Sequence, residues 1–244
     1  MYKRILLKLS GEALEGKKGY GIDPSALKSV VEEVSELLSM GIEIGMVVGG
    51  GNIFRGLRYE EYGFDRVVAD HMGMLATLIN CLALSQIFKA KAIKARVISP
   101  IEVKGLTESF SRELVETALS NKELLLFACG TGNPFFTTDT AAVLRAMEIG
   151  AEVFIKGTKV DGVYSTDPLK DPKAVFFETI DYETFLMKRL GVLDLTAVSL
   201  AMTYELPIVV LNIQKKGNLK RLISGERIGT IIKGGMGNAG RNTC

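Results

Sequence analysis

The stretch LLLFACGTGNPFFTTDTAAVLRAMEIG, residues 124–150, contains the three parts of one α/β folding unit. Its first six residues are apolar and are followed by a glycine, which predicts a buried strand. Glycine and proline break up the following loop, and Thr137 or Thr138 is a suitable N-cap for a helix extending to about residue 149. A strand that leads through a tight loop into a helix is the building unit of a parallel sheet covered by helices. The stretch therefore predicts an α/β fold.

The same alternation continues along the rest of the chain. Apolar runs predict strands at residues 3–9, 42–48, 94–98, 124–129, 152–156, 207–213 and 229–233. Amphipathic patterns predict helices at residues 24–40, 65–89, 107–120, 138–149, 181–190, 196–205 and 217–224. This order predicts a mostly parallel central sheet with helices on both faces, a three-layer α/β/α sandwich. We expect a single domain with a soft boundary near residue 150, because the segment 157–180 is rich in turn signals.

The composition is that of an ordinary soluble protein. Of the 244 residues 47% are hydrophobic and 24% are charged, which is sufficient for a large core. A net charge of +2 gives no reason to expect a nucleic-acid partner. Three widely spaced cysteines without metal-ligand spacing favour a reducing compartment. Because no apolar run approaches the roughly 18 residues of a membrane-spanning helix, we expect a cytoplasmic protein with no membrane partner.

Two strand ends carry residues suited to phosphate, and in open parallel sheets ligands lie beyond the carboxyl ends of the strands. Lys8 ends an apolar strand and precedes Ser10 and Gly11. A buried lysine needs an anion, although its stem could also snorkel out from an edge strand. The second strand runs into GGGNIFRG, residues 49–56, where glycines allow close backbone approach and Arg55 offers a planar fork. A plain glycine turn with a surface arginine is the alternative.

Two further strand ends have the same character. In GTGNPFFTTD, residues 130–139, backbone amides, hydroxyls and a carboxylate precede a helix, which favours a nucleotide phosphate; a simple strand-to-helix turn is the alternative. In KGTKVDGVYSTDP, residues 156–168, an aromatic ring lies among hydroxyls and amides, which suits a nucleobase; taken alone, a pair of turns explains it equally well.

Other nucleotide and metal patterns are missing or misplaced. No Walker A sequence occurs, and the nominal G-x-G-x-x-G at Gly235, Gly237 and Gly240 lies in a polar C-terminal segment that we expect to be mobile. The single histidine, His71, lies in a long apolar-patterned helix and is interpreted as a surface residue. Histidine metal clusters are thereby excluded, and a Ser-His-Asp triad is disfavoured.

The motifs taken together resemble the amino acid kinase family, and most closely its bacterial UMP kinase branch. The phrases appear in that branch's order and cover nearly the whole chain: KLSGEAL (8–14), GGGNIFRG (49–56), RVVADHMGM (66–74), GTGNPFFTTDTAA (130–142), KVDGVYSTDP (159–168) and LDLTA (193–197). The resemblance implies a kinase that makes UDP from UMP and ATP with Mg²⁺, the metal having no dedicated protein ligands. It also implies an acceptor side at about 1–150, an ATP side at about 151–234 and a C-terminal tail at 235–244 without an assigned role.

The resemblance also implies site residues at the matching positions. The ATP-binding set is Lys8, Leu9, Ser10, Gly11, Gly51, Arg55, Lys156, Thr158, Tyr164 and Asp167. The UMP-binding set is Gly50, Arg55, Asp70, Thr131, Gly132, Asn133, Pro134, Phe135, Phe136, Thr137 and Thr138. The catalytic set is Lys8, Asp139 and Asp194, in which Lys8 neutralises the moving phosphoryl group and the two aspartates orient that lysine and the magnesium-water shell. Leu193 stands where the family usually has methionine, an apolar exchange of similar volume.

Regulation and assembly are implied in the same way. Members of the branch are commonly hexamers activated by GTP and inhibited by UTP. The segment Gly16, Lys17, Lys18, Gly19, Tyr20 and Gly21 matches a region tied to GTP activation, although such a turn could equally be a solvated loop.

The long helix gives independent support for a homo-oligomer. One apolar row consists of Val68, Met72, Leu75, Ile79 and Leu82, and a second of Met74, Leu78, Cys81 and Ile87. A helix that is apolar on two sides needs two neighbours, here its own sheet and a second subunit. The alternative is burial of both rows inside one large core.

Two other functions remain open at this point. One is a kinase of the same family that phosphorylates a carboxylate or carbamate. The other is a non-catalytic storage protein on the same fold, which the presence of Lys8, Arg55, Asp70 and Asp194 disfavours.

Overall fold

The computed structural model describes residues 2–55 and 63–235. Its strands are β1 (Arg4–Leu9), β2 (Glu43–Val48), β3 (Ala95–Ile98), β4 (Leu124–Phe127), β5 (Val153–Thr158), β6 (Val163–Tyr164), β7 (Phe176–Phe177), β8 (Thr179–Asp181), β9 (Ile208–Asn212) and β10 (Thr230–Lys233). Its α-helices are α1 (Pro24–Ser39), α2 (Arg66–Ala90), α3 (Arg112–Ser120), α4 (Thr138–Glu148), α5 (Tyr182–Met187), α6 (Leu195–Thr203) and α7 (Asn218–Ile223). Short 3₁₀ helices occur at Gly11–Ala13 and Gly16–Lys18.

One eight-stranded sheet runs through the molecule in the order β3-β4-β2-β1-β5-β9-β10-β8. Its strands are parallel except for the β9–β10 pair, which is antiparallel. Strand β1 lies between β2 and β5, so the two halves of the chain share it. The strands β6 and β7 form a separate antiparallel hairpin.

Side chains alternate across the sheet and separate two apolar layers. Ile5, Leu7 and Leu9 belong to a core that includes residues of α1, α2 and α7, whereas Leu6 belongs to a core with residues of α3, α4, α5 and α6. A strand buried on both faces has this continuous apolar composition. The α/β/α sandwich predicted from the sequence is confirmed, and the alternation places Lys8 on the same side of the sheet as α4.

The predicted elements are confirmed in order and type, with one correction. The helix predicted at 107–120 begins only at Arg112, because Glu108 bridges Ile98 at the sheet edge and the Ser111 side chain caps the helix at Leu114. The prediction missed β6, β7 and β8, whose two or three residues are too short to show a period. The predicted tail at 235–244 lies outside the described residues except for Gly235.

The length and hydropathy of helix α2 contradict one prediction from the sequence, that no segment is long and apolar enough to span a membrane. Over its most apolar 18-residue window the mean hydropathy is 1.6, so by length and composition it is one candidate span among the residues described. The expectation that no such run exists was therefore wrong. Since 44% of that window is buried and α2 packs on α1 and the β3 edge, the helix equally has the properties of a core helix.

The two rows of α2 have different surroundings. Met74, Leu78 and Cys81 are buried in the core that α2 shares with α1 and one face of the sheet. On the other row Val68 is 52% exposed, Leu75 47% and Ile79 48%. The alternative in which both rows lie inside one core is therefore wrong for this chain, and an apolar surface remains on α2. His71 is exposed on the same helix, as predicted.

Candidate active site

Two lysines and one aspartate meet at the carboxyl end of the central strands. Lys8 in β1 is the register partner of Lys156 in β5, so their side chains emerge side by side on the α4 face. Asp139, in the first turn of α4, lies between them. Its Oδ1 is 2.8 Å from Lys8 Nζ and its Oδ2 is 2.5 Å from Lys156 Nζ. The interpretation of Lys8 as an edge-strand residue reaching solvent is wrong, because it is 7% exposed on a central strand.

The charges of this cluster stabilise one another. Burial alone would raise the pKa of Asp139, but the positive charges of Lys8 and Lys156 outweigh it and lower that pKa to about 2. Burial lowers the pKa of Lys156 to about 8, against the attraction of Asp139 and with the nearby charge of Lys8 adding to the decrease. Among these three groups the two cations exceed the single anion, so the cluster can accept a further negative charge.

Asp194 is held close to this cluster by threonine hydroxyls. It is the N-cap of α6, where its carboxylate accepts from the amide of Ala197. The Thr137 and Thr140 hydroxyls also donate to it. Thr137 in turn caps α4 by accepting from Asp139 and Thr140 amides, which links the positions of the two aspartates. Asp194 contributes to the electrostatic environment of Lys156 but forms no ion pair with either lysine in the described structure.

The glycine motifs let three backbone segments approach closely. A methyl group on Gly11 would lie 2.6 Å from the carbonyl oxygen of Gly49, and one on Gly50 would lie 2.7 Å from that of Gly73 in α2. Any side chain at either position would push the β1 loop or α2 away from the β2 loop. Close approach of protein backbone is therefore found at Gly49 and Gly50, whereas a methyl group on Gly51 would meet nothing within 4 Å; phosphate binding by this loop stays a prediction.

A cleft of about 570 Å³ opens between the loops that follow β1 and β2, helix α2 and the loop before α4. The proposed residues that line it are Ser10, Gly50, Gly51, Arg55, Asp70, Thr131, Phe136, Thr137 and Thr138. Within it Asp70 accepts from Arg66 Nε at 3.0 Å and from the Phe135 amide at 2.8 Å. Asp70 thus ties α2 to the loop before α4, with its carboxylate facing the cleft. This volume falls in the range of small-molecule sites.

Several proposed residues lie beside the cleft. Leu9 is completely buried, and its carbonyl accepts from the Gly49 amide, so its side chain cannot touch a nucleotide. Gly132 packs against Pro100, while Asn133 and Pro134 belong to the outer turn of the loop. Phe135 contributes its backbone amide to Asp70 and its ring to the Arg66 guanidinium, 5.8 Å from the ring centroid.

A second cleft, of about 460 Å³, lies beside the β6–β7 hairpin. Its lining includes Tyr164 and Asp167 together with Lys188 and Arg189, which the sequence reasoning missed. The Tyr164 ring packs edge-on against Phe176 at 5.2 Å. Thr158 ends β5 with its hydroxyl bonded to the Val160 carbonyl at 2.7 Å.

Sequence reasoning also missed charged residues that contact the proposed ones. Arg66 holds Asp70, and its spacing of four residues on one helix was a readable signal. Glu12, the residue after Ser10 and Gly11, pairs with Arg55 at 3.0 Å and lines the first cleft. The turn at 16–21 is mostly exposed and is joined to the GGGN loop through Gly21 and Asn52.

The described part of the chain contains no group of three or more His, Cys, Asp or Glu side chains arranged to hold a metal ion. Asp139 is engaged by two lysines, whereas Asp194 accepts only neutral donors among its recorded hydrogen bonds. The donor set therefore fits a metal carried mainly by a ligand's phosphate oxygens better than a protein-enclosed metal.

Comparison with known proteins gives consistent matches. The model of the amino acid kinase family matches residues 3–212. The uridylate kinase of Legionella pneumophila (strain Paris) is 50% identical over 231 residues, covering 95% of this chain and 94% of that protein. The uridylate kinase of Shewanella amazonensis is 50% identical over 232 residues, covering 95% and 96%. The crystal structure of UMP kinase from Bacillus anthracis has a TM-score of 0.91 and 36% identity, covering 95% of this chain and 96% of that one.

Proposed function

The chain belongs to the amino acid kinase family, and from this premise we propose that it transfers the γ-phosphoryl group of ATP to UMP, giving UDP and ADP. The observation that carries the proposal is the pair of adjacent cations at the strand ends next to the acceptor cleft, the buried Lys8 and the partly buried Lys156. The relatives at 50% identity are uridylate kinases over nearly their whole length. The activity belongs to pyrimidine nucleotide biosynthesis in the cytoplasm.

Catalysis in this proposal is positioning combined with electrostatic stabilisation. A phosphate oxygen of UMP is already an anionic nucleophile, so no side chain has to remove a proton. Lys8 and Lys156 neutralise negative charge on the transferred group, and Asp139 fixes both ammonium groups in advance. Ser10, Gly11, Gly51 and Arg55 bind phosphates, while Tyr164 and Asp167 bind the base and ribose side of ATP.

Magnesium accompanies ATP in this proposal. Asp194 is the carboxylate suited to hold its water shell, because it is not occupied by a lysine. When bound, the metal would supply positive charge that stabilises the charge developing on the phosphates.

The acceptor site predicts discrimination against deoxyribose. We propose that Asp70 accepts hydrogen bonds from the UMP ribose hydroxyls, which its place on the cleft wall supports. We expect dUMP to be poorer than UMP by about 10- to 150-fold in kcat/KM, since a charged acceptor loses a partner worth about 1.5–3 kcal/mol. In Asp70→Ala the two substrates should converge. The measurement is kcat/KM for both nucleotides with both proteins at saturating ATP and magnesium.

A control separates this role from loop anchoring, because Asp70 also holds Arg66 and the Phe135 amide. Arg66→Met removes the ion pair but leaves the carboxylate, so it should keep the preference for UMP even where overall activity falls. If Asp70→Ala leaves the UMP to dUMP ratio unchanged, Asp70 does not contact the 2′-hydroxyl.

Assembly through α2 is the second part of the proposal. The exposed apolar row of Val68, Met72, Leu75 and Ile79 fits a second copy of this chain, and the resemblance implies a hexamer. We expect Leu75→Glu to split the assembly, because it buries an unpaired charge at the interface. Light scattering after size exclusion gives the mass, and Leu75→Met, which keeps the apolar surface, should assemble normally. A folded Leu75→Glu protein of unchanged mass would place the interface elsewhere.

Regulation by nucleotides is the third part of the proposal. We propose that GTP activates the enzyme through the turn at 16–21 and that UTP inhibits it.

A coupled assay across the four nucleoside monophosphates tests the identity of the acceptor. We expect the activity with UMP to be much higher than with the other three. A carboxylate or carbamate kinase would use none of the four, and a storage protein would form no ADP with any acceptor.

A further inference from the structure

Four charged side chains form a cluster that joins the segments following β1, β2 and β5. Glu12 Oε1 lies 3.0 Å from Arg55 Nη2, and Glu12 Oε2 lies 2.8 Å from Lys159 Nζ. Glu15 lies behind them, with one carboxylate oxygen 3.6 Å from Lys159 Nζ and the other 3.9 Å from Arg55 Nη2. A single carboxylate, that of Glu12, therefore contacts two cations at once.

The members of the cluster come from different parts of the fold. Glu12 lies in the 3₁₀ helix directly after Ser10, and Arg55 follows the glycine loop of β2 on the acceptor side. Lys159 follows β5 on the ATP side, and the next residue, Val160, lines the second cleft. The cluster therefore connects the walls of both clefts through one residue of the β1 loop.

The cluster contributes more to side-chain placement than to folding stability. The side chains of Arg55 and Lys159 are about half exposed, at 51% and 44%, and exposed ion pairs contribute little to stability. Long cationic side chains lose rotamer freedom when they are held, so a fixed partner lowers the entropic cost of using them in binding. Glu15 is buried and its Oε2 has no hydrogen bond, so its charge remains available to the two cations.

Both members of the central pair stay charged near neutral pH. A hydrogen bond from Lys159 lowers the pKa of Glu12 despite the opposing effect of partial burial. The same hydrogen bond raises the pKa of Lys159. The bridge is therefore a full ion pair across the pH range of an ordinary assay.

We infer that Glu12 is a positioning residue that holds Arg55 and Lys159 at the phosphate entrance, and that Lys159 is a further phosphate-binding side chain for ATP. The inference rests on the proposed function, because that proposal places the ATP phosphates at the Ser10–Gly11 loop. Phosphate oxygens arriving at that loop meet two cations whose directions Glu12 has already fixed. The ATP phosphate then shares Lys159 with the carboxylate, so the lysine needs little rearrangement to bind it.

The test is a double-mutant cycle with Glu12→Gln and Lys159→Met. We expect each single variant to raise KM for ATP by about 10-fold and to leave kcat nearly unchanged. The reason is that the lost charge-assisted contact is made in both the ground state and the transition state. The double variant should lose clearly less than the product of the two single losses, because part of the effect of Glu12 on ATP is transmitted through Lys159 and the rest through Arg55. Glu12→Gln should also raise KM for UMP through Arg55, whereas Lys159→Met should not. Glu12→Asp, which keeps the charge, should recover part of the loss.

A matched control uses another bridge between two elements. Glu36 on α1 pairs with Lys220 on α7 at 2.6 Å, so Glu36→Gln removes the same kind of charge away from both clefts and should leave both KM values unchanged. Additive losses of about 100-fold in the double variant, or an unchanged KM in Lys159→Met, would overturn the inference.

Calorimetric titration with ATP in the absence of UMP gives a readout that needs no turnover. A wild-type protein that binds ATP but forms no UDP would contradict the proposed function. A Lys159→Met protein that binds ATP as tightly as wild type would contradict the inference alone.

Discussion

Lys8→Met should lower kcat by about 10²-fold or more while changing nucleotide binding far less. Lys8 is a buried cation on the central strand, at the point where the resemblance places the moving phosphoryl group. Removing one preorganised electrostatic group from a water-poor site typically costs about 10²- to 10³-fold in kcat. Met has similar length and suits the apolar surroundings. The measurement is kcat and KM for ATP and UMP in a coupled assay of UDP formation.

The fold should survive this substitution. Asp139 keeps its contact with Lys156 at 2.5 Å, so no buried carboxylate is left without a cation. Lys94→Met, at an exposed position before β3, is the matched control and should behave as wild type. A Lys8→Met enzyme with near-normal kcat would assign Lys8 a structural role only.

Asp139→Asn should have the largest effect on stability. It removes the only anion in the described structure that pairs with Lys8 and Lys156, leaving the ammonium group of the buried Lys8 next to that of the partly buried Lys156. Breaking a buried ion pair by removing one partner costs on the order of 3–5 kcal/mol. We expect a loss of this size in the free energy of unfolding, measured by urea denaturation at pH 7, with a further loss of activity because both cations lose their fixed positions.

The pH dependence gives an independent check. The folded-state pKa of Asp139 is lowered to about 2 from 3.8, so its contribution is complete above the unfolded value and is lost as the pH falls through that interval. Asp139→Asn should lack this part of the acid destabilisation. Glu113→Gln, which removes an exposed first-turn charge from α3, is the control for the helix-dipole effect and should cost about 0.3–1 kcal/mol. An Asp139→Asn protein as stable as that control would show that the lysines do not need the carboxylate.

The individual strand ends could be predicted from the sequence, because local patterns determine them. Lys8 closes an apolar run, Thr137 precedes a helical pattern, and the glycines of the β2 loop interrupt both kinds of period. Each of these signals is contained in a segment of about ten consecutive residues. The motif resemblance then assigned roles to positions that periodicity alone left open.

The contacts between strand ends could not be predicted, since they depend on pairing across the chain. That Lys8 lies beside Lys156 follows from the β1–β5 register, which no local pattern specifies. The bridge from Glu12 to Arg55 and Lys159 depends on three separate loops meeting. The false helical start at 107 has a related origin, because the bridge between Glu108 and Ile98 adds this segment to the sheet edge, and a helical pattern in the sequence does not reveal such pairing.

The shared central strand has a consequence for the order in which the protein is synthesised. The ribosome makes β1 first, and β2 can cover one of its edges early, but the other edge waits for β5 at Val153–Thr158. Until then, an apolar strand edge stays open on the nascent chain, where it is exposed to association with other chains. The same delay keeps Lys156 away from Lys8 and Asp139. The first half of the chain can therefore begin to fold during translation, while the cluster of Lys8, Asp139 and Lys156 forms only once the strand from the second half has been added.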